Sequence, residues 1–401
     1  MPVSLSDADQ KALDRILSVR PAWVDTRRAS EAVALPKNTL LHAGPAFDRT
    51  VEITRPILNS ACVAAVFEDL AGDFAAAEAA IMAGDIVLRP AQDFGVVTPL
   101  AGVVSSSVWL HQVADKSMPS HHCFSPLNGG NGPATRLGLL SDAALAHFRW
   151  VNGPFCDALR YAFDRQAPTG GIDLIPIVAE ALRQGDDGHG RTAAATALLL
   201  ETLSPAIDEQ AASRAFLEDG PSFFLNIWMA ACKCILSAAE GISNSSLVTA
   251  SGGNGARTGV QLAGQPGRWF THDAAPPNGN LGEADPDRAL GAIGDSAIVD
   301  MAGFGAMSMS FAPVQRDALL PFAPAGALDL PAQLLSGFHP AFDELDFRMG
   351  LCAAAVVSQE VVPIISLGIL DKRGEAGRLG GGIFQVPLAL FQDALAGLSE
   401  A

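Results

Sequence analysis

The chain is short of positive charge. Its 401 residues contain 26 lysines and arginines against 43 aspartates and glutamates, which gives a formal net charge of −17 at pH 7. Nucleic acids and anionic membrane surfaces require a basic footprint, so the composition argues against both partners. Arginine supplies most of the positive charge that is present, and its planar guanidinium suits carboxylates and phosphates. A small anionic substrate held by a local group of arginines therefore stays compatible with the composition.

Membrane-directed segments are also lacking. Residues 1–10 have neither the basic start nor the apolar stretch of a secretory signal peptide. No uncharged run reaches the roughly 18 residues that a membrane-spanning helix needs. We therefore expect a cytoplasmic protein.

The six cysteines include no CxxC pair and are too few for a disulfide scaffold. Cys232 and Cys234 lie in an apolar helical run, where this spacing puts them on different helix faces, and we predict buried thiols. The segment His121-His122-Cys123 carries metal-ligand residue types, but adjacent side chains diverge on helices and strands, so we expect a loop there. We predict neither a metal nor a cofactor.

Common catalytic motifs are missing as well. The chain contains no GxxxxGK[ST] phosphate loop, no strand-anchored GxGxxG, no GxSxG elbow and no HExxH. What it does contain is an apolar majority, with 49% hydrophobic and only 17% charged residues. Such a chain can bury sizeable cores and large interfaces, so we expect a homo-oligomer or a subunit of a hetero-complex.

Residues 1–140 are predicted to form N-terminal helices and a small α/β domain. Apolar periodicity predicts helices over 6–19 and 22–35, separated by Pro21. Short apolar runs then alternate with a helical segment, which is typical of α/β units with parallel strands. The strand-like runs are 39–43, 85–89 and 103–113, and the helical segment is 74–83.

Residues 141–245 are predicted to be a helical domain, in which the helix over 222–240 is apolar around most of its circumference and therefore central. Residues 246–401 are predicted to be a glycine-rich C-terminal α+β domain. Its period-two pattern indicates a three-stranded antiparallel meander, with Asn254-Gly255 in a type I′ turn. The triplet Gly380–Gly382 allows the backbone to approach a ligand or another strand closely. The predicted fold class is α+β, with mixed α/β content.

One octet, 185–192, has the composition of a reaction site. It places Asp186, Asp187, His189 and Arg191 around two glycines where a loop turns into a helix. Unpaired N–H groups and the dipole at a helix start favour anions. A structural alternative is that Asp187 or Thr192 only caps the helix while Arg191 is solvated.

His42 is a second candidate, because it ends a predicted strand, and ligands of open α/β sheets bind beyond the carboxyl ends of strands. A purely structural histidine is the alternative at this position.

Seven ordered motifs resemble the YlbE-like family (domain of unknown function 1116) over almost the whole chain from about residue 22. They are 40–45, 170–174, 185–191, Phe224-Leu225-Asn226 with 229–233, Asn254-Gly255 with 269–271, 294–298 and 346–348. The resemblance implies a bacterial cytoplasmic protein that works beside an acyl-CoA-synthetase-like FdrA subunit and a third small partner. In anaerobic allantoin breakdown such a complex resembles an oxamate carbamoyltransferase, which moves a carbamoyl group between oxamate, as oxalurate, and phosphate.

That reaction needs a cationic clamp, an oxyanion donor and a proton-transfer group. Within the resemblance, Arg191 would be the clamp, His189 the donor or acid/base, and Asp186 or Asp187 the group that orients the imidazole. The substrate-binding candidates are Arg191, Asn254, Gly255, Asp295, Ser296, His42 and Asn226. Asp295 and Ser296 also have the residue types of a helix cap.

The chain departs from the family pattern on its loops. Gly188 and Gly190 stand where the pattern has cysteine and asparagine, and 251–255 lacks an arginine. The histidine-rich loop of the family is replaced by Gln92-Asp93-Phe94, and a late His-Lys-Glu becomes Asp371-Lys372-Arg373. Three functions therefore stay open: a carbamoyltransferase subunit, a non-catalytic anion-binding or scaffold subunit, and an amidohydrolase acting on a ureido acid.

Overall fold

The computed structural model of the chain describes residues 5–130 and 132–400. The fold is α+β, with helices packed around antiparallel sheets, as expected. The helices are α1 (Asp7–Ser18), α2 (Ala29–Ala32), α3 (Arg55–Phe67), α4 (Phe74–Ala83), α5 (Asp142–Trp150), α6 (Cys156–Gln166), α7 (Leu174–Arg183), α8 (Ala193–Leu203), α9 (Ala211–Glu218), α10 (Phe223–Ser237), α11 (Ala297–Ala302), α12 (Pro313–Leu319), α13 (Leu330–Leu334), α14 (Ala353–Gln359) and α15 (Leu388–Ser399). None of these helices is long and apolar enough to cross a membrane.

The strands form several small sheets rather than one large one. They are β1 (Pro21–Arg28), β2 (Thr39–His42), β3 (Val87–Pro90), β4 (Trp109–Asp115), β5 (Met118–Pro126), β6 (Ile172–Asp173), β7 (Val248–Asn254), β8 (Arg257–Leu262), β9 (Phe270–Asp273), β10 (Asn278–Asn280), β11 (Ile293–Gly294), β12 (Leu335–Phe338), β13 (Arg348–Leu351), β14 (Ile364–Leu370) and β15 (Arg378–Gln385). The strand orders of the larger sheets are β5-β4-β1-β6, β11-β7-β8-β9 and β10-β15-β14.

The helix predicted over 22–35 is wrong. Residues 21–28 form β1, which pairs with β4 on one side and β6 on the other, and only the single turn α2 follows. Trp23 anchors the strand between His111 and Phe163, with ring centroids 5.2 and 4.6 Å away. These partners are distant in sequence, so tertiary pairing overrides a local pattern that also fits a helix.

The loop predicted at His121–Cys123 is also wrong, because these residues lie inside β5 and pair with β4. The strand expected over 103–113 begins only at Trp109, as β4, and it pairs antiparallel with β1 and β5. Other local patterns are confirmed. β2 and β3 are parallel neighbours, as predicted, and α4 lies between them in sequence. The helical block from α5 to α10 is present, and every residue of α10 except Leu225 is buried. α10 packs against β4, β5, β7 and α11, which makes it the central helix.

The C-terminal meander is confirmed, with β7, β8 and β9 antiparallel in that order and β11 added beside β7. Its first turn differs from the prediction. Only Gly255 has a positive φ, of 86°, whereas a type I′ turn needs two such residues. Asn254 stays in β7, where its Oδ1 accepts hydrogen bonds from the N–H groups of Ala256 (3.0 Å) and Arg257 (2.7 Å). The side chain of Asn254 thereby closes the turn.

The triplet Gly380–Gly382 serves two purposes at once, because neighbouring residues of a strand face opposite sides. A Cβ at Gly380 or Gly382 would collide with the backbone of β10, at Asn280 and Asn278 respectively. A Cβ at Gly381 would instead lie 3.0 Å from the guanidinium of Arg378. The glycines thus allow close strand pairing on one face and leave room for Arg378 on the other.

Candidate functional site

The octet 185–192 is a tight loop between α7 and α8. Gly185 and Gly188 have φ values of 90° and 79°, which other residues rarely adopt. Asp187 closes the loop, since its Oδ1 accepts from the backbone N–H groups of His189 (2.8 Å) and Arg191 (2.9 Å). Burial raises the pKa of Asp187 to about 6, although these two hydrogen bonds oppose the shift. Asp187 therefore shapes the backbone that carries His189.

Asp186 caps α8. Its Oδ2 accepts from the N–H of Ala195 at 2.9 Å, and its Oδ1 lies 3.4 Å from Nε of Arg191. In the purely structural interpretation of this loop, Asp187 or Thr192 was expected to cap the helix. Instead Asp186 makes the capping bond, because its side chain reaches the free N–H groups at the start of the helix, and Thr192 makes none. The side chain of Arg191 is 41% exposed in its pair with Asp186.

The imidazole of His189 is oriented by Asp300 and not by Asp186 or Asp187. Nδ1 of His189 lies 2.6 Å from Oδ2 of Asp300, and both side chains are buried. Oδ1 of Asp300 is fixed by the N–H groups of Ala306 (2.7 Å) and Ser366 (3.1 Å). Burial lowers the pKa of His189, but the Asp300 carboxylate and the charge of Asp187 raise it, and the net shift is upward. With Nδ1 donating to Asp300, Nε2 is the nitrogen left for a ligand.

His189 faces a cavity of about 150 Å³. Its walls come from the loop before β4, the loop after β5, the octet, α10, the start of α11, α12, β14 and β15. The lining residues are Pro99, Leu100, Asn128, Gly129, Arg136, His189, Gly190, Ser222, Leu225, Asn226, Ser296, Gln315, Leu319, Ser366, Leu367, Gly368, Arg378, Gly381 and Gly382. Of the predicted site residues, His189, Asn226 and Ser296 are brought together here.

Two arginines that the sequence analysis missed line the same cavity. Arg136 is half-buried and donates to backbone carbonyls of Gly129 (3.0 Å) and Gly130 (2.6 Å) and to Oδ1 of Asn128 (3.0 Å). Arg378 is exposed at the cavity mouth, where its Nε donates to the carbonyl of Gly380 at 2.8 Å. Among the side chains that the structure describes, which leave out that of residue 343, no carboxylate lies within 4.0 Å of either guanidinium.

The electrostatics of the cavity favour an anion. Burial lowers the pKa of Arg136 to about 10, and the positive charge of Arg378 adds to this effect. The same charge of Arg378 also acts to lower the pKa of His189. Arg378 thus repels both Arg136 and protonated His189 around one small space. A bound anion would relieve that repulsion and gain charge-assisted hydrogen bonds.

Asn226 and Ser296 add neutral polar groups to the wall. The Nδ2 of Asn226 donates to the carbonyls of Asn128 (2.9 Å) and Phe223 (3.2 Å). Both partners are acceptors, which fixes the amide orientation and leaves Oδ1 as an acceptor for a ligand. Ser296 precedes α11, but its hydroxyl makes no capping bond there. That hydroxyl remains available to the cavity.

Asp295 is held beneath the wall. Its Oδ1 accepts from the N–H of Gly44 (2.9 Å) and from Gln92 (2.7 Å), and its Oδ2 accepts from the N–H and hydroxyl of Thr98 (2.9 and 3.2 Å). Burial raises the pKa of Asp295 to about 6 against the pull of these bonds. The cap expected from Asp295 and Ser296 is therefore replaced by a buried junction that joins three distant segments.

Asn254, Gly255 and His42 lie outside the cavity wall. Asn254 is fully buried, and its Nδ2 donates to the carbonyl of Pro45 at 2.9 Å, so both ends of its amide are used by the fold. His42 is buried against Phe47, and its Nδ1 lies 2.8 Å from the carbonyl of Ala43. Burial lowers the pKa of His42 to about 4, which keeps the ring neutral near pH 7.

Gln315 also lines the cavity, although no motif in the sequence singles it out. A Cβ at Gly190 would lie 2.5 Å from Nε2 of Gln315 and 3.1 Å from the hydroxyl of Ser366. The amide of Gln315 therefore occupies the space beside His189 that a side chain at position 190 would take. This arrangement keeps a polar amide in the cavity although residue 190 is glycine.

Comparison with known proteins gives a family for this arrangement. The family model described as "Oxamate carbamoyltransferase subunit AllG" matches residues 86–296. A curated protein of that description from Escherichia coli (strain K12) is 31% identical to the chain, with 100% of the chain and 99% of the relative covered. The "Uncharacterized protein YahG" of the same organism is also 31% identical and covers 99% of the chain, with 86% of its own length aligned.

A solved structure has the same fold. The crystal structure of a conserved protein of unknown function from Enterococcus faecalis V583 superposes with a TM-score of 0.91 at 26% sequence identity. The match covers 98% of this chain and 97% of that one. The fold is therefore shared over nearly the full length of the two chains.

Proposed function

Because the chain belongs to the AllG family of oxamate carbamoyltransferase subunits, we propose that it is a subunit of a carbamoyltransferase-type complex. In this proposal the cavity beside His189 holds the reacting anions, which are oxamate or oxalurate on one side and phosphate or carbamoyl phosphate on the other. The further expectation of an FdrA-like partner rests on the motif resemblance in the sequence.

One observation carries the proposal: two arginines that have no carboxylate partner among the described side chains share a small cavity with a histidine held by a buried aspartate. The cavity, at about 150 Å³, is smaller than the roughly 300–1,000 Å³ of pockets for drug-sized ligands. Oxamate and carbamoyl phosphate are both small, planar-ended anions. Size and charge therefore support a small acid or phosphate as the ligand.

The chemistry follows from the positions of these groups. An oxygen of phosphate attacks the carbamoyl carbon of oxalurate, the bond from that carbon to the oxamate nitrogen breaks, and carbamoyl phosphate and oxamate form. The leaving nitrogen requires a proton, which Nε2 of protonated His189 donates, and in the reverse direction the same nitrogen accepts it. Asp300 keeps Nε2 directed at the substrate and stabilises the charged imidazole.

Arg136 and Arg378 neutralise the phosphate or carboxylate charge and the negative charge that develops on the carbamoyl oxygen in the transition state. Oδ1 of Asn226 accepts a hydrogen bond from the carbamoyl NH₂, since its own NH₂ group is already bound to two carbonyls. Asp186, Asp187 and Arg191 act indirectly in this scheme, by holding the octet in the conformation that presents His189.

The remaining predicted residues have supporting positions in the proposal. Asp295 fixes the segment that carries Ser296, and Asn254 with Gly255 holds the first turn of the meander. His42 lies two residues before Gly44, whose N–H donates to Asp295. The division of the chain at residues 140 and 245 stays part of the proposal, with the cavity formed where the three segments meet.

The test is an assay of the intact complex purified from its native host. We expect oxalurate to be converted to oxamate only when phosphate is present, with carbamoyl phosphate as the second product. Oxalurate breakdown that does not depend on phosphate would contradict transfer and indicate an amidohydrolase.

Variants of this chain separate catalysis from assembly in the same assay. Arg136→Gln with Arg378→Gln is compared with the control Arg191→Gln, which changes an arginine outside the cavity wall. Full turnover of a normally assembled double variant would contradict the site and favour a scaffold role. Loss of turnover in the double variant alone would support the cavity as the site.

A further inference from the structure

A second group of reactive side chains lies away from the cavity, between β5 and α10. The ligand atoms of His121, Cys123 and Cys234 all lie within 4.8 Å of one another. Both cysteines are buried, and His121 is half-buried. The carbamoyl-transfer scheme uses none of these three residues.

The backbone explains how they meet. His121 and Cys123 are two residues apart in β5, so their side chains point to the same face of the strand. Cys234 lies on the face of α10 that packs against β5. Adjacent residues would diverge, as the sequence analysis assumed for 121–123, but His122 is not part of the group. The third donor comes from a segment about 110 residues later in the sequence.

We propose that His121, Cys123 and Cys234 bind one zinc-class cation, which links β5 to the central helix. Two thiolates and an imidazole form a donor set that selects Zn²⁺ over cations such as Mg²⁺, which prefer oxygen ligands. Tetrahedral coordination with Zn–S bonds of about 2.3 Å separates two sulfurs by about 3.8 Å. The group therefore needs to contract by about 1 Å at most to hold the ion.

The charges around the group suit a divalent cation. Two thiolates neutralise Zn²⁺, so the buried site carries no net charge. The nearby ammonium of Lys233 is already paired, because its Nζ lies 3.0 Å from Glu240 and 3.0 Å from the carbonyl of Thr249.

Ser237 completes the surroundings. Its hydroxyl lies 3.2 Å from Nε2 of His121 and 3.6 Å from Sγ of Cys123, one turn after Cys234 on the same helix. Three protein ligands leave a fourth position, which this hydroxyl or a water molecule fills. Nε2 of His121 also lies 2.8 Å from the carbonyl of Cys234, and a metal bound at Nε2 replaces that hydrogen bond.

The site is separate from the cavity but shares its central helix. Asn226 lines the cavity and Cys234 belongs to the metal group, and these residues are eight positions apart in α10. At about 1.5 Å per residue the separation along the helix is about 12 Å. An ion at Cys234 would thus stabilise the packing of the helix that carries Asn226 without touching the substrate.

Titration of the full-length, reduced chain with Co²⁺ tests the proposal. Bound thiolates give a near-ultraviolet sulfur-to-cobalt charge-transfer band, and we expect this band to saturate close to one equivalent and to disappear when Zn²⁺ is added. Cys123→Ser and Cys234→Ser should each lose the band. Cys232→Ser is the matched control, because Cys232 is a buried thiol of the same helix that lies outside the group.

Absence of the band in the folded wild-type chain would overturn the proposal without recourse to any variant. A band that survives in both Cys123→Ser and Cys234→Ser, or one that Cys232→Ser removes, would also overturn this assignment of ligands. Detection by mass spectrometry of a Cys123–Cys234 disulfide in a chain that takes up no metal would show a redox pair instead. Metal content of wild-type protein grown with zinc should agree with the cobalt stoichiometry.

Discussion

Two buried carboxylates and the bases that line the cavity differ in the partners they have within the protein. Both oxygens of Asp295 and both oxygens of Asp371 accept hydrogen bonds from within the protein. Arg136, Arg378 and His189 line a common cavity, and the two arginines have no carboxylate partner among the residues described. The acids therefore stabilise the fold, whereas the bases keep hydrogen-bonding capacity for a ligand.

The octet shows the same contrast within eight residues. One oxygen each of Asp186 and Asp187 binds backbone N–H groups, and Arg191 pairs with Asp186. Only His189 and Gly190 reach the cavity. A segment with the composition of an active site thus consists mostly of residues that hold one catalytic candidate in place. Variants of the two classes should consequently differ in what they impair.

The largest effect is expected at His189. Replacement by glutamine removes proton transfer, and we expect kcat of the complex to fall by about 10²- to 10⁴-fold. Asp187→Asn should reduce kcat far less, because that side chain contacts only the backbone of the loop. Steady-state kinetics of the two variants, each with an unfolding curve, provide the measurement. A kcat for His189→Gln within threefold of wild type would refute the acid–base role.

Asp300 gives this prediction a pH dependence. The Asp300 carboxylate raises the pKa of His189, so Asp300→Asn should lower it. Transfer that requires protonated His189 loses rate as the pH rises through this pKa. The alkaline limb of the pH–rate profile should therefore move to lower pH in Asp300→Asn. A profile that only decreases in height would assign Asp300 a purely structural role.

The second-largest effect is expected at the two arginines. Arg136→Gln or Arg378→Gln removes a cationic donor, and we expect each to lower kcat/KM by about 10²- to 10³-fold. Arg191→Gln is the comparison, because partly exposed ion pairs contribute about 0–1 kcal/mol, and it should change kcat/KM only a few-fold. Calorimetric titration with phosphate and with oxamate would show whether the loss lies in binding. Equal losses in all three variants would contradict the distinction between cavity and loop.

The sequence predicted what depends on local pattern. The helices from α5 to α10 and the meander follow from apolar periodicity and turn residues, and they were found. β1 was missed because Trp23 owes its place to partners in β4 and α6, which no local pattern reveals. β5 was missed for the same reason, because its pairing with β4 is not visible in the local pattern. The contact of His121 and Cys123 with Cys234 depends on that strand.

Site residues follow the same division. His189 was selected from composition, but Arg136 and Arg378 are brought to it by the fold from positions far apart in sequence. Two features of the sequence point to residues that were missed. Arg136 follows a glycine-rich stretch, and Asp300 is a single charge within the apolar helix α11. A lone acid in an apolar run indicates a buried partner, although it does not identify that partner.

A smaller effect, on stability rather than turnover, is expected at Asp187. Its pKa is raised from 3.8 to about 6 in the folded chain, so the folded state binds the proton more tightly than the unfolded state does. This contribution to the free energy of unfolding is fully present below about pH 4 and is lost as the pH rises through about 6. The complete loss amounts to about 3 kcal/mol.

Asp187→Asn keeps an oxygen for the two N–H donors but cannot ionise. The free energy of unfolding in urea, measured from about pH 4 to about pH 7, should therefore fall less steeply in the variant than in wild type. Identical slopes for wild type and Asp187→Asn would show that Asp187 does not titrate in this range.

The smallest effect is expected at Gly190, where loop and cavity touch. A Cβ there would press on the end of the Gln315 side chain, at 2.5 Å from Nε2, and a flexible side chain can move away at little cost. Gly190→Ala should therefore change stability by less than about 1 kcal/mol, while displacement of the Gln315 amide raises KM a few-fold. Gln315→Ala alone should raise KM similarly, and the double variant should add nothing, because both changes remove the same amide. Additive changes in KM would mean that Gly190 acts on the cavity without Gln315.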